Sequence, residues 1–342
     1  VNLQLVSRPL CFTPDATVQQ ETAGSLGGAL IGETGAPTEA AGPMQRIFAP
    51  LLGSTAAVVE ESWMAGESVI EGQSEGICWR RSDDILYGVL EFEEAEFADT
   101  GNGTPLQLAS HEAYRRIFRL LDAQKLPHLW RIWNYLAEIN GESFGLERYR
   151  QFNVGRQDAF IEGRRGATGN VPAACALGLK GGPLSIAFLA GPTPAVPVEN
   201  PRQVSAYHYP SEYGPRSPTF SRAALAYPPA QEMLFISGTA SIVGHRTVHP
   251  GDVAGQTGEA LSNVEAVISE ANRYCRGRPY LPAEMSYRVY VRDSADFAAV
   301  RDTLGQRLGD GVEIVYLQAD ICRAELLIEI EASASHLLGS GE

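Results

Sequence analysis

A chain that carries one order of strand and helix patterns twice has few folds open to it, and this sequence of 342 residues does so over most of its length. In the first copy GICWRRSDDILYGVLEFEE, from Gly76, reads as strand, Ser-Asp-Asp turn, strand. Ser110 then caps a predicted helix over 111–123, where Ala113, Ile117, Leu120 and Leu121 recur at three- and four-residue spacing. LWRIWNYL predicts a strand, and residues 143–153 a second helix with Leu146, Tyr149 and Phe152 on one side. VPAACALGL and PLSIAFLAG predict two apolar strands. The second copy keeps this order: RAALAYPPAQEMLFISGTAS, a helix over 257–272, the strand MSYRVYVRD, a helix over 295–308, and two closing runs, GVEIVYLQADIC and LLIEIEASAS. Each copy is a β-β-α-β-α-β-β unit, so the expected class is α+β, with mixed sheets packed against helices.

Between the copies, GPTPAVPVENPRQ (191–203) holds four prolines and reads as a linker, dividing the chain into 1–190 and 204–342. In residues 1–55 GSLGGALIGETGAPTEAAGP reads as loop, with short strands beginning VNLQLV and IFAPLL.

A formal net charge of −14 argues against nucleic acid and anionic membranes as partners, because both need a basic surface. A small anionic substrate is still allowed, provided arginines gather locally in a pocket. No apolar run approaches the roughly 18 residues of a membrane helix. VNLQLVSRPLCFTPD lacks a basic segment followed by a long apolar one, so no secretory signal is expected and a cytoplasmic location is. The five cysteines lie far apart without C-x-x-C, which argues against a disulfide scaffold and a zinc ribbon. His245 and His249 have H-x-x-x-H spacing, but GHRTVHPGD reads as a loop, and no metal is expected.

The last run alternates at period two, turning Ile328 and Ile330 one way and Glu329 and Glu331 the other. A glutamate in so apolar a strand either faces water at a sheet edge or sits in a pocket that raises its pKa. If the closing runs pair as antiparallel strands across RAE, the Cys322 thiol comes near Glu329; a buried free cysteine is otherwise inert packing. PLSIAFLAG, at the equivalent place in the first copy, has no glutamate there, as expected if one copy kept chemistry and the other became scaffold.

From DVAGQTGEALSNVEAVISEANRYC through YRVYVRDSADFAAV to LLIEIEA, the second half resembles the small YjgF-type fold of the reactive-imine deaminases. The arginine those enzymes place on the strand before the IEIEA ending has no equivalent in GVEIVYLQAD. Nearly the whole chain is similar to the chorismatase family. The resemblance is carried by the degenerate first YjgF-like half, the proline-rich join, YHYPSEYGPRSPTFSRA, FISGTASIVGH and QADICRAELLIEIEA. It implies two YjgF-like, chorismate-mutase-like halves and cleavage of the enolpyruvyl ether of chorismate, releasing pyruvate without metal or cofactor. Glu329 matches the family's general acid. Cys322 implies the subtype that makes 3-hydroxybenzoate, with 4-hydroxybenzoate as a companion product, over the hydrolytic subtype that makes a 3,4-dihydroxycyclohexa-1,5-diene carboxylate. By resemblance Tyr213, Arg216 and Phe220 belong to the pocket wall and Gly238, Thr239 and Ala240 to its floor. Arg148 and Arg150 are candidates for gripping a substrate carboxylate, or else exposed helix charges; Arg216 reads equally as a loop salt bridge. An imine or enamine deaminase and a non-catalytic metabolite-binding module are the competing readings. The expected assembly is a monomer or weak oligomer, with the pocket at the contact between halves.

Overall fold

Strands that are apolar on both faces must be covered twice, and that requirement sets the layering. The computed structural model describes residues 3–10, 24–33, 42–66, 68–98, 103–309 and 311–338. Strands β1 (Gln4–Leu10), β2 (Ser25–Ile31), β3 (Met44–Ile47) and β4 (Val58–Met64) form a small sheet in the order β1-β4-β2-β3. The first copy comprises β5 (Ile70–Ser74), β6 (Ile77–Arg81), β7 (Leu86–Phe92), α1 (Pro105–Gln124), β8 (His128–Ala137), the ribbon β9 (Glu142–Ser143) and β10 (Leu146–Glu147), α2 (Arg148–Glu162), β11 (Ala173–Leu179) and β12 (Leu184–Gly191). The second comprises β13 (Val196–Val198), β14 (Ala223–Ala226), β15 (Gln231–Ala240), the ribbon β16 (Ile242–Val243) and β17 (Arg246–Thr247), α3 (Val253–Ala271), β18 (Ser286–Val291), α4 (Phe297–Leu308), β19 (Ile314–Gln318) and β20 (Ile328–Leu337).

The two large sheets repeat one strand order: β11-β8-β12-β7-β6-β5 in the first, β19-β18-β20-β15-β14-β13 in the second. In each, the last strand of the unit inserts antiparallel between two others, and the strands joined by the second helix pair in parallel. Ile186, Phe188 and Ala190 of β12 pack under α1 and α2, while Ile328, Ile330 and Ala332 of β20 pack under α3 and α4. The inner faces meet in a shared core, where Ala187 and Leu189 join Phe235 and Tyr290 with Trp63 from the small sheet.

Several local expectations shift. Helix α1 begins earlier than predicted: Thr104 accepts from the Gln107 N–H at 3.3 Å and Pro105 fills the first position, whereas Ser110 lies inside and donates to the Leu106 carbonyl at 2.7 Å. Helix α2 begins at Arg148 because Phe144 and Gly145, both with positive φ, turn the β9-β10 ribbon within the segment read as helical. The stretch read as loop contains β2, buried along its whole length, where small side chains serve close packing instead of turning; residues 34–41 of that stretch lie outside the described residues. The closing runs are not a hairpin, since β18 lies between β20 and β19.

Helix α2 rests directly on α1 through Gly155, where a Cβ would stand 2.1 Å from the Gln107 carbonyl oxygen. Gly155→Ala is therefore expected to cost about 1–3 kcal/mol through overpacking, read as a lower melting temperature. Wild-type melting would mean that the helices do not meet this closely.

Candidate active site

Because β20 is flanked by β15 and β18, Glu329 cannot be an edge residue; it is 4% exposed, on the inner face beside Glu331 at 5%. The two carboxyls are treated very differently. Glu331 accepts from Arg131 Nη2 and from the Tyr290 hydroxyl at 2.9 Å, and pairs with Arg288 Nη1 at 3.2 Å. Glu329 has no hydrogen-bond or ion-pair partner among the described residues. Burial first, and the Glu331 carboxylate second, push the Glu329 pKa up to about 8, against the pull of Arg131 and Arg222. At neutral pH Glu329 is thus an acid with its proton on. Opposite it, β15 is irregular between Ile236 and Thr239, and a Cβ at Gly238 would lie 1.9 Å from Glu329 Oε1. Glycine there lets the carboxyl rest on the backbone.

Glu329 faces a cavity of about 260 Å³ whose wall comes from both copies. Of the predicted residues, Glu329, Cys322, Tyr213, Phe220, Gly238, Ala240 and Arg150 line it. Three do not. Thr239 alternates to the other face of β15, fully buried, and donates to the Ser237 carbonyl at 2.7 Å. Arg148 is held by Glu94 and the Ala137 carbonyl, and Arg216 pairs with Asp158 at 3.0 Å, both away from the cavity. Arg150 donates to Glu147 at 3.0 Å, and the Tyr213 hydroxyl to the His245 carbonyl at 2.7 Å.

The wall also holds three arginines that the sequence reading passed over. Arg156 donates through Nη2 to Asn153 Oδ1 at 2.7 Å, with Nε unpartnered. Arg222 donates through Nη2 to the Val204 carbonyl and the Tyr209 hydroxyl, both at 2.8 Å, again with Nε unpartnered. Arg323 lies over the Tyr213 ring at 4.1 Å and leaves Nη2 unpartnered. Among the described residues none of the three pairs with a carboxylate, although the chain as a whole is strongly acidic. Guanidiniums with spare donors around one cavity are built for an anion with more than one acceptor group. Arg222 and Arg323 lie inside SRA and CRAE, stretches already singled out; Arg156 sits mid-helix, where nothing but apolar spacing drew attention.

Cys322 is carried by the turn before β20, and Arg292 fixes that turn. Its guanidinium donates to the carbonyls of Leu326 at 2.7 Å, Ile321 at 3.1 Å and Arg323 at 2.8 Å, and to Asp320 at 2.5 Å. Burial, then the neighbouring Glu329, push the Cys322 pKa up to about 12, so the group is a thiol. Among the described residues no cluster of histidine, cysteine and carboxylate side chains could hold a metal ion.

Residues 61–190 match the family model described as Chorismatase FkbO/Hyg5-like, N-terminal. A chorismatase of Streptomyces hygroscopicus is 40% identical over 277 residues, 79% of this chain and 78% of its own. A 3-hydroxybenzoate synthase of the same organism is 37% identical over 290 residues, covering 82% and 83%. The crystal structure of a chorismatase superposes with a TM-score of 0.84 at 33% identity, over 97% of this chain and 98% of the other.

The raised pKa of Glu329 has a stability signature. Folding gains from its proton below the ordinary value of 4.5, and the gain is lost as pH rises through about 8. Glu329→Gln cannot ionise, so its melting temperature relative to wild type should rise from about pH 5 to about pH 8 and level off above that. A constant difference would show that Glu329 is already ionised at neutral pH.

Proposed function

The chain belongs to the chorismatase family, and on that premise we propose that it converts chorismate to pyruvate and 3-hydroxybenzoate, with Glu329 as the general acid. The observation that carries this reading is a buried, protonated carboxyl without a donor, facing a cavity ringed by arginines with spare N–H groups. Chorismate is a dicarboxylate, and Arg156, Arg222 and Arg323 supply the cations to receive it. An enol ether resists water at neutral pH until its methylene carbon is protonated. Glu329 gives that proton, which leaves an oxocarbenium ion in the side chain and a carboxylate on the enzyme.

The neighbouring ring hydroxyl then attacks the ring carbon that bears the activated ether. The carbon–oxygen bond to the side chain breaks, pyruvate departs as its ketone, and Glu329 takes the hydroxyl proton. The product on the ring is an arene oxide, formed without water. Opening of one epoxide bond and loss of a ring proton give 3-hydroxybenzoate; opening of the other gives 4-hydroxybenzoate. The Cys322 thiol, held at the cavity wall by the braced turn, assists that opening. Capture of the activated ring by water would instead give the diene diol.

Purified protein mixed with chorismate, without added metal or cofactor, should form pyruvate and 3-hydroxybenzoate in equal amounts by chromatography. Intact chorismate would overturn the reading. In water enriched in heavy oxygen the hydroxybenzoate should stay unlabelled; label in its hydroxyl would mean that water had captured the ring carbon. Glu329→Gln should lose about a thousandfold in turnover, and wild-type activity should fall as pH rises through about 8, where the acid form is lost. Cys322→Ala should change the product ratio more than the rate of chorismate consumption; unchanged hydroxybenzoate output would remove the thiol from the mechanism.

A further inference from the structure

Two glutamates two residues apart on one face of β20 share a core that excludes water, and only one is given cations. Glu331 takes donors from Arg131 of β8 and Tyr290 of β18 and forms an ion pair with Arg288 of β18. Arg288 is shared, since its other pair is Glu61 of the small sheet. The network holds two arginines and two glutamates, so it is neutral as a unit while placing a carboxylate next to Glu329. Cys175 of β11 stands at the same place: a Cβ on Gly238, against which Glu329 rests, would lie 3.2 Å from Cys175 Cβ. Glu331 and Glu329 both disfavour loss of the Cys175 proton, with burial the larger cause, so the group there is a neutral thiol.

We propose that Glu331 is a positioning residue for the reaction: clamped as a carboxylate by Arg131 and Arg288, it keeps the proton on Glu329. This rests on the reading of Glu329 as the acid. The cost of two adjacent buried anions falls on whichever lacks donors, and the clamp decides which one that is. The other groups facing Glu329 do not substitute for it. Tyr149 and Arg156 come from α2 and Arg222 from the segment before β14. Cys322, Arg323 and Glu325 come from the turn before β20. Burial is the larger cause that holds the proton; of the charges, Arg131 and Arg222 act against it and the carboxylate of Glu331, the largest of the three, offsets their pull.

The test compares pH–rate profiles with a direct titration of the Glu329 carboxyl in free enzyme, by infrared difference between each protein and its Glu329→Gln counterpart. Glu331→Gln leaves the network with one uncompensated cation. Its alkaline limb and its infrared midpoint should both move down by about one pH unit or more. Glu331→Asp keeps the charge and should keep the limb near the wild-type position, even where turnover drops. Arg131→Gln removes a cation and should move both upward, which keeps the question answerable should Glu331→Gln fail to fold. A midpoint near 8 in wild type that stays in place in Glu331→Gln or Arg131→Gln overturns the role of Glu331. Glu331→Asp shifting as far as Glu331→Gln overturns it too, since shape and not charge would then be responsible. A wild-type carboxyl already ionised at neutral pH overturns the reading of Glu329 itself.

Discussion

Sheets that meet face to face leave no water for charges on their inner surfaces, and this molecule depends on how those charges are settled. Arg131 of the first copy pairs with Glu331 of the second, and Arg288 joins Glu331 to Glu61 of the small sheet. Tyr135 and Tyr290 close the network with hydroxyls 2.7 Å apart, and Arg288 donates to Tyr135 at 2.8 Å. Buried ion pairs give little net stability, because desolvation offsets their attraction, but breaking one by removing a partner costs about 3–5 kcal/mol. Their effect is therefore registry: the three sheets can meet only in the arrangement that satisfies all four charges. That arrangement also sets the electrostatics at Glu329, so fold and site share one constraint.

The cavity follows from the same seam. Strand β11 is stitched to the second copy at both ends, by paired backbone hydrogen bonds between Gly178 and Asp320 and by Ser221 donating to the Pro172 carbonyl. Between these ties it gives the cavity only small residues, Ala174, Cys175 and Ala176, and the strand opposite is irregular at Gly238. Small side chains on one wall and a missing Cβ on the other leave room that larger residues would fill.

Much of this was legible in the alternating and helical patterns. The repeated unit and the opposite facing of Ile328 and Glu329 could be read because period carries them, and several cavity residues because the stretches that hold them resemble those of the chorismatase family. Most of what failed did so for non-local reasons, Thr239 being the exception. Whether Glu329 faces water or core depends on β18 inserting beside β20, a pairing across some forty residues that no local pattern encodes. Thr239 follows from strict alternation and could have been excluded between Gly238 and Ala240. Arg148 and Arg156 are indistinguishable in sequence, two arginines of one helix; only the packing of α2 on α1 sends one to Glu94 and the other to the cavity. The brace by Arg292 was invisible for the same reason, since its partners lie 26 or more residues away.

The two copies keep one strand order while dividing the chemistry. The first supplies Arg156 and Arg150 from α2 and the small residues of β11; the second supplies the acid, the thiol and two further arginines. At the place of β20 the first copy has β12, whose inward Ala187 and Leu189 are core. A duplicated unit that kept an acid in both copies would bury a second unpartnered carboxyl, a heavy penalty in a water-free seam. In the proposed reaction one such group suffices, because the desolvation that makes Glu329 hold its proton at neutral pH also makes it a strong base once the proton is given. A carboxyl of pKa about 8 is poised to protonate carbon and then to accept the hydroxyl proton. Acid and base roles then fall on the same atom pair, and the turnover ends with the buried site neutral again.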